Sequence, residues 1–168
     1  MENTLSTSFS ESLTQKIEAL KDHYPHGREK SALLPALHLV QAEFGWLSTP
    51  SMDSVAHILG IKPIEVYEVA TFYTMFHVKP VGKYVLEVCH TSPCCLNGAE
   101  DLLKHIQNKL SIQIGETTAD GLFTLKTVEC LAACGMAPVL QIGPDYTYHE
   151  HLTPEKVDAL IADLSQKK

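Results

Sequence analysis

The chain has 168 residues, of which 45% are hydrophobic and 20% are charged, and its net charge is −7. This size and composition fit one ordinary domain, or a small domain with a helical extension, and exclude a disordered acidic chain. A negative chain gains nothing from counterion release on a phosphate backbone, so we expect no nucleic-acid partner. No apolar run approaches the ~20 residues of a membrane span, so we expect no direct membrane insertion.

The first ten residues are polar and contain neither Lys nor Arg. They lack the basic and apolar regions of a secretory signal, and they lack the Arg-rich pattern of a transit peptide. The expected compartment is therefore the cytoplasm, where thiols stay reduced. Five cysteines in such a chain indicate metal or redox chemistry rather than disulfide bonds.

Helical patterns fill residues 10–80, which follow a loose tail at residues 1–9. Thr49 is predicted to cap the third helix, because Thr is a common N-cap and Pro50 suits the first turn. Apolar spacing, caps and prolines predict helices around residues 13–20 and at residues 31–44, 50–60 and 63–76.

Two other signals in this helical part have simple structural explanations. Residues 52–76 could form a helix–turn–helix, but the acidic charge of the chain argues against DNA binding. Phe72, Tyr73 and Phe76 form an aromatic stretch, which we assign to the core of a helix rather than to a partner surface.

From residue 83 onward the pattern changes to short β-rich runs separated by helices. Strands are predicted at residues 84–88, 123–128, 139–142 and 146–148, and helices at residues 98–110 and from Thr153 onward. The order β, α, β, β, α predicts a sheet with helices packed on it, of the thioredoxin kind. The predicted fold class is α+β, with a helical bundle at residues 10–80 and a thioredoxin-like α/β domain at residues 81–168.

Four cysteines form two short pairs, and each pair follows a predicted strand. Cys89 and Cys94 are separated by four residues, and Cys130 and Cys134 by three. Two sulfide-bridged irons need four thiolates, which two short loops from neighbouring strand ends can supply. Small residues around the second pair let backbone N–H groups approach the sulfurs. The pattern predicts one [2Fe–2S] cluster with these four cysteines as its iron ligands.

Other assignments of the cysteines are weaker. A structural zinc site prefers C-x₂-C spacing and a thioredoxin-like dithiol requires it, but neither pair has it. The spacing also differs from the C-x₄-C-x₂-C run of plant-type ferredoxins. Cys95 could replace its neighbour Cys94 as a ligand, although we assign it as a small apolar loop residue. His90, between the first two ligands, is predicted to be solvated.

Two motifs carry a resemblance to a known family. The first is VCHTSPC at residues 88–94 followed by LNGAE at 96–100, and the second is ECLAACGMAP at residues 129–138. Together they resemble the 24 kDa-type subunit family of NADH:quinone oxidoreductase, which is respiratory complex I. The helical segment EVYEVATFY at residues 65–73 and the segment LTPEKV at residues 152–157 extend the resemblance. The family pattern needs no cysteine at position 95.

The resemblance implies a subunit of an oxidoreductase that is not catalytic toward NADH alone. It implies a thioredoxin-like domain with one [2Fe–2S] cluster on Cys89, Cys94, Cys130 and Cys134. The implied partners are a flavoprotein subunit that binds FMN and NADH, and other iron–sulfur subunits in a peripheral arm on the cytoplasmic side of the inner membrane. Similar subunits serve NAD-linked hydrogenases and formate dehydrogenases, and a free-standing thioredoxin-like ferredoxin is a further alternative. The four thiolates and the acidic charge of the chain predict a low reduction potential, closer to the ~−400 mV of plant-type ferredoxins than to the range of Rieske centres.

Overall fold

The computed structural model describes residues 9–167 and divides them into two compact units, one ending at Pro80 and the other beginning at Val81. We call residues 9–80 the helical unit and residues 81–167 the sheet unit. The predicted tail lies outside the described residues except for Phe9, which is half-buried and stacks on Phe44 at 5.9 Å between ring centroids. Within residues 9–167, no helix has both the length and the apolarity to cross a bilayer.

Four helices build the helical unit, and their bounds are Glu11–Lys21 (α1), Leu33–Phe44 (α2), Thr49–Leu59 (α3) and Pro63–Phe72 (α4). A 3₁₀ turn at Glu29–Ala32 leads into α2. Each helix turns an apolar stripe inward, and Ile17, Leu37 and Val55 are fully buried in the shared core. The predicted α-helical bundle is therefore present in this unit.

Helix α3 begins one residue earlier than predicted. Ser48 is its N-cap, because the Ser48 hydroxyl oxygen accepts a hydrogen bond from the Ser51 N–H at 3.2 Å. Thr49 is the first helical residue and Pro50 the second. Proline is tolerated there because the first N–H groups of a helix have no intrahelical partner.

Helix α4 ends at Phe72, four residues before the predicted end at Phe76. The Gln41 side chain holds the following segment against α2, donating to the carbonyl of Met75 at 2.9 Å and accepting from the N–H of His77 at 2.7 Å. These bonds compete with a continued helix, and they turn Phe76 into the core at 5% exposure.

The predicted helix-core position is wrong for Phe72, which is 76% exposed, and Tyr73 remains 39% exposed. The early end of α4 leaves Phe72 at the helix terminus. Of the three aromatic residues, only Phe76 is buried.

The sheet unit contains a four-stranded mixed sheet in the order β2-β1-β3-β4. In chain order its elements are β1 (Tyr84–Cys89), α5 (Ser92–Leu96), α6 (Ala99–Leu110), β2 (Phe123–Val128), β3 (Leu140–Gly143), β4 (Thr147–His149) and α7 (Pro154–Gln166). Strands β1 and β2 are parallel, whereas β3 runs antiparallel to β1, and β4 antiparallel to β3. The α+β prediction is confirmed.

The core of the sheet unit joins the sheet to its two long helices. Leu86 and Val88 of β1 are buried in one cluster with Ile106 of α6 and with Val157 and Ile161 of α7. Because side chains alternate along a strand, Val85 and Glu87 lie on the opposite face of β1. The packed face fixes the strand register, and with it the position of the strand ends.

Candidate metal centre

Both cysteine pairs lie at one edge of the sheet because three chain segments meet there. Parallel strands β1 and β2 end together, with Cys89 opposite Val128. Antiparallel β3 begins at the same edge, and the N–H of Cys89 donates to the carbonyl of Val139 at 3.1 Å. The second cysteine loop connects β2 to β3, so it lies beside the first cysteine loop.

The first cysteine loop contains a short helix, α5, which differs from the predicted loop. Thr91 precedes its first turn, and Pro93 suits that turn because its φ is already helical. The Asn97 side-chain amide closes the helix by donating to the carbonyl of Pro93 at 2.7 Å. As a result, Cys94 points inward and is 2% exposed, while Cys89 at the end of β1 is 4% exposed.

Thr91 connects the two cysteine loops. Its hydroxyl donates to the carbonyl of Glu129 at 2.7 Å, and the hydroxyl oxygen lies 3.2 Å from Cys89 Sγ. One threonine therefore contacts both a predicted ligand of the first pair and the residue before Cys130. The spacing of the cysteines alone did not indicate this role.

The second cysteine loop is held by its own backbone and by β4. Ala132 has a φ of 55°, and its N–H donates to Cys130 Sγ at 3.2 Å. A small side chain reduces the steric cost of this left-handed conformation. The Tyr148 hydroxyl of β4 donates to the carbonyl of Leu131 at 3.0 Å. The predicted approach of a backbone N–H group to a cysteine sulfur is thus present at Cys130.

The thiols of Cys89 and Cys94 are affected by burial and by neighbouring hydrogen-bonding and charged groups. Burial opposes ionisation of Cys89, but hydrogen bonds from Thr91, from the N–H of Leu131 and from Cys94 together lower the pKa of its thiol. Burial raises the pKa of Cys94, and its hydrogen bond to Cys89 and the negative charges of Cys89 and Cys134 raise it further. The structure therefore brings Cys89, Cys94 and Cys134 together, and Cys130 lies in the same loop as Cys134.

The two cysteine pairs differ in exposure. Cys89 and Cys94 are buried, whereas Cys130 and Cys134 are exposed. Apolar side chains around the loops are exposed as well: Leu96 at 87%, Met136 at 43% and Tyr148 at 44%. The buried pair anchors the site in the fold, and the exposed pair lies on a partly apolar surface.

A polar row crosses the sheet two residues before Cys89. Glu87 is paired in register with Lys126 of β2 and Gln141 of β3. Its carboxylate lies 3.5 Å from the Lys126 ammonium and accepts from the Gln141 amide at 3.0 Å. Burial raises the pKa of Glu87, although the Lys126 charge opposes that shift. The Glu87 carboxylate near the site is therefore balanced by the Lys126 ammonium and is not an isolated negative charge.

Cys95 has surroundings different from those of Cys94. It is half-buried, and its sulfur groups with a ring nitrogen of His90 and a carboxylate oxygen of Glu100, all within 4.8 Å of one another. The predicted loop position of Cys95 is wrong, because it lies in α5. His90 is exposed, as predicted.

The donor set fits a [2Fe–2S] cluster. Four cysteine sulfurs in two short segments at one sheet edge match the number and type of ligands that two sulfide-bridged irons require. Backbone N–H and hydroxyl groups lie beside two of these sulfurs, which are the contacts that stabilise thiolate ligands. The assignment of Cys89, Cys94, Cys130 and Cys134 as ligands stays a prediction.

The fold and the donor set define a class: iron–sulfur proteins with four cysteine ligands at the edge of a mixed α/β sheet. Residues 17–165 match the family model of the thioredoxin-like [2Fe–2S] ferredoxins. The chain therefore belongs to the thioredoxin-like [2Fe–2S] ferredoxin family, and the resemblance found in the sequence is confirmed. One [2Fe–2S] cluster is the cofactor of this family.

Relatives that match nearly the whole chain are E-type subunits of NADH-quinone oxidoreductase. The second such subunit of Rhizobium meliloti (strain 1021) is 49% identical over 149 residues, which cover 89% of this chain and 86% of that protein. The E-type subunit of Rickettsia conorii (strain ATCC VR-613 / Malish 7) is 46% identical over 166 residues, which cover 96% of this chain and 98% of that protein.

A solved structure shares the fold. A chain of NAD⁺-reducing [NiFe]-hydrogenase in the air-oxidized state superposes with a TM-score of 0.71 at 24% identity. The match covers 80% of this chain but only 23% of the hydrogenase chain. At this identity the likeness concerns the fold alone.

Proposed function

We propose that this chain is the [2Fe–2S] electron-transfer subunit of an NADH-oxidising complex, most directly an NADH:quinone oxidoreductase. Cys89 and Cys94 from the first segment, and Cys130 and Cys134 from the second, hold the cluster. The chain belongs to an oxidoreductase as a subunit and is not catalytic toward NADH alone. Residues 10–80 and 81–168 act as its helical and cluster-binding domains.

The observation that carries the proposal is the meeting of two cysteine segments at one sheet edge in a chain of this family. Cys89 ends β1, and Cys130 and Cys134 lie in the loop between β2 and β3. The relatives from NADH-quinone oxidoreductase match both the cysteine segments and the helical segment, since the similarity extends over up to 96% of the chain.

The chain's own residues bind the cofactor and keep its surroundings fixed. The cluster supplies a one-electron carrier between a donor and an acceptor. Ala132 and Thr91 direct an N–H and a hydroxyl toward ligand sulfurs, and Tyr148 holds the second loop in place. Fixed donors need little reorganisation when the charge at the site changes, which favours fast electron exchange.

The partner is a flavoprotein subunit that carries FMN and binds NADH. This chain has no G-x-G-x-x-G run or P-loop. A nicotinamide releases a hydride, so a flavin must convert that two-electron step into single-electron steps. The exposed loop that contains Cys130 and Cys134 faces this partner, and other iron–sulfur subunits complete a peripheral arm on the cytoplasmic side of the inner membrane.

Two alternatives place the same cluster in another setting. The chain could serve the diaphorase part of an NAD-linked hydrogenase or a formate dehydrogenase, or it could be a free-standing ferredoxin. Relatives at 46% and 49% identity favour the quinone oxidoreductase over the hydrogenase, whose match stands at 24%. The helical unit favours a docked subunit over a carrier, because a carrier needs only the cluster domain.

Purification of the native complex tests which proteins assemble with this chain. We expect an affinity-tagged chain, purified anaerobically from native membranes, to bring down a flavoprotein that binds FMN and NADH. The chain should contain about two irons and two acid-labile sulfides. Co-purification of hydrogenase subunits would support the first alternative, and recovery of the chain alone would support the second. Stoichiometric zinc without sulfide would refute the cluster itself.

A further inference from the structure

Beside the four predicted cluster ligands lies a second group of metal-binding side chains. His90 directly follows β1, Cys95 lies in α5, and Glu100 lies in the first turn of α6. One sulfur, one ring nitrogen and one carboxylate oxygen from these residues all lie within 4.8 Å of one another. The end of β1, helix α5 and the start of α6 thus bring three donor atoms close together at the surface.

Backbone hydrogen bonds fix His90 and Cys95, and Glu100 is held in the first turn of α6. The N–H of His90 donates to the carbonyl of Val128 at 2.9 Å, and that of Cys95 to the carbonyl of Thr91 at 2.9 Å. Among residues 9–167, no other side chain forms a hydrogen bond or ion pair with the side chains of His90, Cys95 or Glu100. Since two of the three are exposed, modest rotations can bring their donor atoms to coordination distance.

We propose that His90, Cys95 and Glu100 form a second metal site, selective for a zinc-type divalent cation. Imidazole, thiolate and carboxylate are the three ligand types that proteins use for Zn²⁺. A thiolate and a carboxylate together neutralise the two charges of the ion. Three protein ligands leave the fourth tetrahedral position to water, as in open zinc sites. Hard cations such as Mg²⁺ are poor occupants, because a thiolate is a soft ligand.

The proposal gives Cys95 a role separate from cluster ligation. Cys94 interacts with Cys89 and Cys134, whereas Cys95 groups with His90 and Glu100. Two adjacent cysteines on a short helix thus serve two different groups of side chains. This separation also explains why a thiol is present at a position that the cluster pattern does not require.

Zinc binding to the full-length, cluster-loaded chain tests the proposal. Equilibrium dialysis with Zn²⁺ alone should give about one tightly bound zinc per chain without loss of iron. His90→Gln, Cys95→Ser and Glu100→Gln should each weaken binding by about tenfold or more. His57→Gln is the matched control, because it removes another exposed imidazole. The visible absorption of the cluster verifies that each variant is folded.

X-ray absorption at the zinc edge identifies the ligands. We expect one sulfur at about 2.3 Å and nitrogen or oxygen ligands at about 2.0–2.2 Å. Equal zinc affinity in Cys95→Ser would overturn the proposal. A zinc bound by four sulfurs, together with loss of iron, would also overturn it, because the ion would then occupy the cluster cysteines.

A dication at this site also affects the cluster, a consequence that rests on the proposed function. Positive charge beside the Cys89–Cys94 segment favours the more negative, reduced cluster. Added Zn²⁺ should therefore raise the midpoint potential in the wild-type chain and leave it unchanged in Cys95→Ser. Zinc bound without a shift would overturn this coupling. A chain that lacks iron and sulfide but binds zinc would refute the proposed function and not the zinc site.

Discussion

Cys94 and Cys95 have different surroundings because α5 turns their side chains in different directions. Cys94 is 2% exposed and interacts with Cys89, while Cys95 is half-buried and groups with His90 and Glu100. Spacing alone left either cysteine able to be the second ligand. Cys94 remains our choice because its thiol interacts with Cys89 and Cys134, two of the other predicted ligands.

Serine substitutions separate the cysteines by function. We predict that Ser at Cys89, Cys94, Cys130 or Cys134 abolishes or strongly alters the EPR signal of the reduced cluster, because a hard alkoxide replaces a soft thiolate. Cys95→Ser, measured in the absence of zinc, is the matched control and should leave the signal nearly unchanged. Loss of the signal in Cys95→Ser with its survival in Cys94→Ser would show that the ligand is Cys95.

Thr91 is predicted to tune the cluster through Cys89. A ligand thiolate carries no proton, so the Thr91 hydroxyl is the donor in its 3.2 Å contact with Cys89 Sγ and shares its proton with the carbonyl of Glu129. The hydrogen bond strengthens as the sulfur becomes more negative, which favours the reduced state. Thr91→Val should lower the midpoint potential by about 40 mV, equivalent to about 1 kcal/mol for one electron.

Thr91→Ser is the control for that substitution, because it keeps the hydroxyl and removes only a methyl group. A redox titration followed by EPR should place its midpoint near the wild-type value. If Thr91→Val and Thr91→Ser shift the potential equally, the hydroxyl is not the cause and Thr91 only supports the loop.

Periodicity predicted the long helices and missed the short helix α5. The i, i+3, i+4, i+7 pattern of Val157, Leu160, Ile161 and Leu164 predicted α7, whose apolar face packs on the sheet. Helix α5 has only five residues, which is too short for a periodic pattern. The end of α4 depends on Gln41, 34 residues before the Met75 carbonyl that it binds. A local sequence pattern cannot predict such tertiary contacts.

Gly82, just before β1, is predicted to be intolerant of a side chain. A Cβ at this position would lie 2.9 Å from backbone carbons of Leu122 and Phe123, which belong to the segment entering β2. Gly82→Ala should therefore destabilise the chain by about 1–3 kcal/mol, since the two backbones must separate.

Urea unfolding of the cluster-loaded chain measures this effect. The control is Gly143→Ala, because a Cβ there would meet Val85 at an ordinary 3.7 Å. Equal midpoints for Gly82→Ala and the wild type would contradict the close approach of the two segments.

Helix α4 is predicted to contribute a partner contact through Phe72. The Phe72 side chain is 76% exposed, so its apolar surface contacts water in the free chain. Burial of this aromatic ring in an interface would remove that unfavourable contact. Phe72→Ser should leave the iron content unchanged and reduce the amount of flavoprotein that co-purifies with the chain. Phe76→Ser, which alters a 5% exposed core residue, should instead lower the stability of the helical unit. Undiminished co-purification with Phe72→Ser would exclude this contact.

For the whole molecule, the sequence predicted the class of protein more readily than the details of the site. The cysteine segments and helical segments together indicated the family, because four ligands at fixed spacing form a specific pattern. The contacts of Thr91 and Tyr148, and the grouping of Cys95 with His90 and Glu100, arise only when separate elements meet. They therefore required the three-dimensional structure.

We propose that this chain accepts single electrons from the flavin of a partner and does not oxidise NADH itself. The most direct test is NADH-driven reduction of the cluster, followed by absorbance and EPR, with and without the purified flavoprotein. We predict rapid reduction only when the flavoprotein is present, together with a stable complex between the two. Rapid reduction of the isolated chain by NADH would contradict this electron-transfer role, and so would failure of the flavoprotein to bind the chain or reduce its cluster.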